Sequence, residues 1–199
     1  MTYTDIMNRL ADYADQAQQA NDSMERSLTT ANERYAGEYL KDVMKQIADE
    51  TEGKLAKIHE SATSYLETAM NSIQVSLDKK FFNNISVENA AELELISKTP
   101  VDLLEMEGYI RKFKGNGAAL RRLEQIALAN NLEVHGASYA REMGYKKSLG
   151  DLFKGFITAM KSGDHTRMKI GLNMITPKLA DHEALQAKEI TVTVKRGGL

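Results

Sequence analysis

The chain has 199 residues, 42% of them apolar and 27% charged, with no tryptophan, no cysteine and a net charge of −2. The lack of cysteine excludes disulfides and thiolate metal sites. The average charge hides a division: residues 1–108 hold 10 Lys and Arg against 20 Asp and Glu, residues 109–178 hold 13 against 5, and residues 179–199 hold three of each.

An acidic first half joined to a basic second part points toward a polyanion or an oppositely charged protein surface. The start, Met1-Thr2-Tyr3-Thr4-Asp5, lacks the basic and apolar regions of a signal peptide. The most apolar window, Leu152 to Met160, is too short to span a bilayer. The expected setting is a cytoplasm, or a particle assembled there, with no membrane partner.

Thr4 to Phe82 has no proline and two glycines, Gly37 and Gly53, and reads as very long helix. Its apolar positions Ile6, Leu10, Tyr13, Ala17, Ala20, Met24 and Leu28 follow steps of three and four residues. That spacing makes a narrow seam on one side of a helix, the kind that needs another helix against it. From Tyr35 the stripe drifts through Val43 and Ile47, and from Leu55 to Leu77 it is clean again. Between these lies Asp49-Glu50-Thr51-Glu52-Gly53, the expected place for a bend. Gly53 costs about 1 kcal/mol in a helix interior, while Glu50 four residues before Lys54 supports the helix by a few tenths. A straight rod and a hairpin near Gly53 both fit.

Ser86 is placed to cap a helix through Ser97, and Thr99-Pro100 to start one running to Lys114. Gly115-Asn116-Gly117 breaks that helix, and the next runs from Ala118 to Asn130. Short helices are expected over Ala137 to Gly144 and Leu149 to Lys161. Another, capped by Asp164, should end at Thr176 before Pro177. Ile190-Thr191-Val192-Thr193-Val194 alternates as a strand. With no partner strand evident, Ile190, Val192 and Val194 are candidates for adding to a sheet edge outside this chain. The resulting fold class is all-α: a long N-terminal helix or coiled-coil hairpin, a small helical domain and one C-terminal strand. The expected domains are 1–82, 83–180 and 181–199.

The histidines His59, His135, His165 and His182 show no helical ligand spacing, the carboxylates lie mainly on the rod, and no nucleophile motif is present. No catalytic residue, metal ligand or cofactor site is expected, and hence no enzyme. The strongest local feature is a basic corner holding Arg111, Lys112, Lys114, Arg121 and Arg122 around Gly115-Asn116-Gly117. Free amides and a positive helix end suit phosphate. The helix–Gly-x-Gly–helix order resembles the helix-hairpin-helix DNA-binding motif over some 25 residues. Asn116, however, stands where that motif has an apolar residue. The resemblance implies phosphate contacts from those five side chains; the alternative is that they pair with acids of this chain or a partner.

The leading expectation is thus a non-enzymatic assembly protein, a homo-oligomer or part of a larger particle, docking through its long helix. Nucleic-acid binding by the basic corner is the second reading.

Overall fold

Thr2 opens the first helix with a reciprocal cap: its hydroxyl oxygen accepts from the Asp5 N–H at 3.1 Å, and its own N–H donates to the Asp5 carboxylate at 2.7 Å. The computed structural model describes the chain except residues 84, 137, 163, 164 and 196–199 and the side chain of His165. Its elements are α1 (Tyr3–Arg34), α2 (Gly37–Phe81), α3 (Val87–Ser97), α4 (Leu103–Lys112), α5 (Gly117–Ala129), β1 (Leu132–His135), α6 (Tyr139–Lys161), α7 (His165–Ala187) and β2 (Thr191–Val194). The fold is helical, with one two-stranded antiparallel sheet among the described residues.

The long N-terminal stretch is a hairpin, but it does not turn near Gly53. Tyr35 is extended at φ −126° and ψ 158°, and Gly37 stands at φ +65°, a left-handed conformation that favours glycine. Gly53 stays helical inside the 45-residue α2. There Gln46 bonds Glu50 at 2.9 Å and the Thr51 hydroxyl donates to the Ile47 carbonyl at 2.8 Å, so the polar run is bridged along the helix. α1 and α2 run antiparallel. The Tyr13 and Tyr65 rings lie 6.3 Å apart, and nearer the turn Ala31 and Tyr35 share a groove with Val43 and Ile47.

The chain packs as two compact units, residues 1–71 with 149–179, and residues 72–148 with 180–199. Neither is a continuous stretch, and α2, α6 and α7 each contribute to both units. In the first unit Ile6, Leu10, Ala17, Ala62, Leu66 and Ala69 are buried, together with Leu149, Phe153, Phe156, Met160 and Ile175. Full burial of side chains such as Phe153 and Phe156 is worth about 1.5–3 kcal/mol each. At Gly150 a Cβ would lie 3.1 Å from the end of the Met70 side chain, so α6 approaches α2 closely there.

The second unit centres on Leu93 and Ile96 of α3, Met106 and Ile110 of α4, Leu123 and Ile126 of α5, Leu132 of β1 and Val192 of β2. Ser86 caps α3 as expected. α4 begins later than expected: Asp102 is its N-cap, in a reciprocal pair with Glu105, and buried Val101 donates its N–H to the Asn130 side chain at 3.0 Å. Asn116 caps α5.

α6 is a single helix where a break after Gly144 was expected. Lys146 donates to Gln74 at 2.5 Å and the Tyr145 ring lies edge-on to His182 at 5.2 Å, which ties the intervening turn down. α7 continues through Pro177, losing one ladder donor there, with buried Ile175 and Leu185 holding it on either side. The cap expected at Asp164, the helix start expected at Ala137 and the tail after Lys195 lie outside the described residues.

Two of the helical glycines, Gly53 and Gly117, make opposite predictions. A Cβ at Gly53 meets nothing within 4 Å, whereas one at Gly117 would overlap the Lys80 carbonyl. Gly53→Ala should raise stability to urea by about 1 kcal/mol, and Gly117→Ala should lower it by about 1–3 kcal/mol.

Candidate functional site

The seam expected to meet a partner helix divides into two parts. Ile6 and Leu10 have no exposed surface and Ala17 is buried, all within one chain. Their cover comes from α2 and residues 149–179 of the same unit, so Leu10→Lys would unfold this unit before it tested any association. Tyr13, Met24 and Leu28 are half-buried. Between residues 18 and 60 the apolar stripe is incompletely covered: Ala31 and Thr51 are buried, while Leu40, Val43, Ile47, Leu55 and Ile58 are half-buried. Tyr35, Tyr39 and Met44 are exposed, with the two tyrosine rings edge-to-face at 5.0 Å.

Folding also mixes the charges that the sequence separates. The first unit holds 12 basic and 15 acidic residues and the second holds 14 and 13. The acidic helices of residues 1–71 are therefore packed with the basic segment 149–179, and no strongly single-signed unit remains to attract a polyanion.

The five basic residues at the Gly-x-Gly corner do not converge on one open face. Lys112 reaches both Glu92 carboxylate oxygens, at 2.6 and 2.7 Å, and Lys114 is 3.6 Å from Glu189. The Arg121 guanidinium lies over the Phe82 ring at 4.2 Å and the Tyr139 ring at 5.0 Å. Arg122 donates to Gln125 at 3.0 Å, and Arg111 is exposed. The acids they meet belong to α3 and the α7–β2 connection, not to the N-terminal helices. At Gly117 the start of α5 presses against the Lys80 carbonyl, which closes one side of the corner where the helix-hairpin-helix resemblance placed a phosphate.

The C-terminal strand finds its partner within the chain. β2 pairs with β1 in the register Leu132↔Val194 and Val134↔Val192, extended by the Lys195 N–H donating to the Asn131 carbonyl at 2.8 Å. Val192 is buried in the second unit's core, Ile190 packs against it, and Val194 is exposed. A sheet edge in another molecule is therefore not needed to satisfy Ile190, Val192 and Val194. β1 has only four residues and follows a turn in which Asn131 takes φ +57°, so its alternation was too brief to register in the sequence.

The sequence reading missed the main polar cluster of the second unit. Glu142 on α6 is 3% exposed, yet is charged and fully partnered. Lys80 donates to it at 3.1 Å, His182 Nε2 lies 3.0 Å away, and the Gln186 amide also donates to it. α2, α6 and α7 thus meet on one carboxylate. Burial pushes the Glu142 carboxyl up, but bonds from His182 and Gln186 and the Lys80 ammonium outweigh it and hold the group below its ordinary value. Asp181-His182-Glu183 alone gave no hint, because the partner of His182 lies 40 residues earlier. Among the described residues no group of histidines and carboxylates is arranged to hold a metal, and no helix is long and apolar enough to cross a membrane. No family model, curated protein or solved structure matches the chain.

A depressed folded-state carboxyl contributes stability above its unfolded value and loses it as pH falls through the folded value. Urea stability measured from pH 7 to pH 2 should therefore fall less steeply on the acid side in Glu142→Gln than in the wild type. Parallel curves would show that Glu142 does not carry this dependence.

Proposed function

We propose that this protein is a non-enzymatic assembly protein that pairs with a second copy of itself through the hairpin of α1 and α2 between about residues 18 and 60. The observation that carries this reading is the half-covered stripe of Met24, Leu28, Val43, Ile47, Leu55 and Ile58, continued by exposed Tyr35, Tyr39 and Met44. In a two-helix hairpin each stripe is shielded from one direction. A second hairpin laid against the open side completes a four-helix arrangement and buries both.

A second copy suits the surface because a two-fold contact uses one patch twice. Residues 18–60 carry nine acidic and six basic side chains, both signs interspersed, so identical hairpins do not meet as like-charged surfaces. The groove beside the stripe holds about 410 Å³ and is lined by Ala31, Tyr35, Val43 and Ile47 with Arg26 and Arg34 at its rim. The fully buried part of the seam supports this role indirectly, by anchoring the hairpin to the rest of the unit. Nothing at the basic corner favours the nucleic-acid reading over this one.

The test uses the full chain and the variant Tyr39→Lys with Met44→Lys, two exposed positions whose replacement leaves the buried core untouched. Light scattering should give a dimer at tens of micromolar for the wild type and a monomer for the variant, with equal helical content by circular dichroism. A wild-type monomer at that concentration, or a dimer insensitive to the substitutions, would overturn self-pairing through this stripe.

A further inference from the structure

We propose that the second unit contains a binding site for a small amphipathic anion, a phosphate or carboxylate head on an apolar body. It lies in a cavity of about 550 Å³ between the end of α2, α4, the start of α5 and the connection from α7 to β2. This site is separate from the hairpin stripe and independent of how that stripe pairs.

Charge is the first support. Lys80, Arg111, Lys114 and Lys188 line the cavity against one carboxylate, Glu189. Lys80 is held by Glu142 and Gln186, and Lys114 stands near Glu189 at 3.6 Å. Arg111 and Lys188 have no hydrogen-bond or ion-pair partner among the described residues. With Lys80 and Lys114 each beside a carboxylate, Arg111 and Lys188 leave this surface with an excess of positive charge that an anionic guest would neutralise. Arg111 offers a planar fork to a phosphate or carboxylate, and Lys188, on the connection from α7 to β2, a point charge.

The walls supply the second support. Phe81 and Ile110 are buried, and Leu120 and Ile190 half-buried, so the cavity presents apolar surface beneath its charged rim. Its volume falls within the range that small ligands occupy. Lys80 is positioned before any ligand arrives, because its ammonium is fixed by the buried Glu142 carboxylate. That fixing reduces the ordering cost of binding. The Gly-x-Gly corner takes on a different role here. Gly115 and Gly117 form part of the cavity wall, and a side chain at Gly117 would displace the Lys80 backbone.

The probes are phenyl phosphate, benzoate, inorganic phosphate and benzyl alcohol, titrated into the full chain by calorimetry and by amide chemical shifts. Phenyl phosphate should bind saturably at one site, moving the resonances of Gly117, Leu120 and Ile190. Benzoate distinguishes a carboxylate source from a phosphate one: tighter binding of either identifies the head group. Inorganic phosphate and benzyl alcohol, each lacking one half of the ligand, should bind at least about tenfold more weakly. Arg111→Gln with Lys188→Gln should weaken the preferred probe by at least about tenfold, with melting temperature unchanged. Lys98→Gln, an exposed lysine on the α3–α4 connection, should leave binding unaltered. Absence of saturable binding by both aromatic anions, equal affinity for inorganic phosphate, or equal loss in Lys98→Gln would overturn the proposal.

Discussion

Ile6 and Leu10 lose all contact with solvent inside a single chain, and the rest of the structure depends on that closure. A seam as narrow as the one on α1 cannot remain exposed in water, and two kinds of surface can cover it: another molecule, or a later part of the same one. Here the later part does so. The turn at Tyr35 to Gly37 sends α2 back along α1, and residues 149–179 complete the cover. Once the seam is closed from within, the stretch that leaves apolar surface half-covered is the part of the hairpin beyond it. Any association through α1 and α2 is thereby moved toward the Tyr35 end.

The same closure rearranges the electrostatics. Segments of opposite charge that lie a hundred residues apart in the chain become packing partners, and each unit ends near neutrality. Basic side chains that looked like a phosphate-binding cluster are drawn to Glu92 and Glu189 or stacked on Phe82 and Tyr139. What remains is local: Arg111 and Lys188, without a partner among the described residues, line an apolar-walled cavity. A small anion needs only such a local arrangement, whereas duplex DNA requires an extended field.

Helix content was legible because the apolar spacing, the Ser86 cap and the Gly115-Asn116-Gly117 break are all local signals. The buried side of each long helix was also legible, from Ile6 through Ala17 and from Ala62 through Leu77. Which surface covers that side was not, since it depends on contacts between residues far apart in sequence. Gly53 was the expected place for any bend, with a straight rod equally open, because polar residues and a weak stripe surround it. The backbone breaks at Gly37 instead, where the chain takes a positive φ that only the three-dimensional path requires. β1 and the Glu142 cluster share this difficulty: four residues carry little periodicity, and the three partners of Glu142 come from α2 and α7.

The intrachain closure of α1 on α2 is open to direct measurement, because the chain has no cysteine of its own. Tyr13→Cys with Tyr65→Cys places two thiols where the ring centroids now lie 6.3 Å apart. A short bismaleimide added at high dilution should link them within single chains, with a yield that does not change as the protein is diluted further. Cross-linked dimers alone, or a yield that falls with dilution, would mean that α1 is covered by another molecule and would contradict the account.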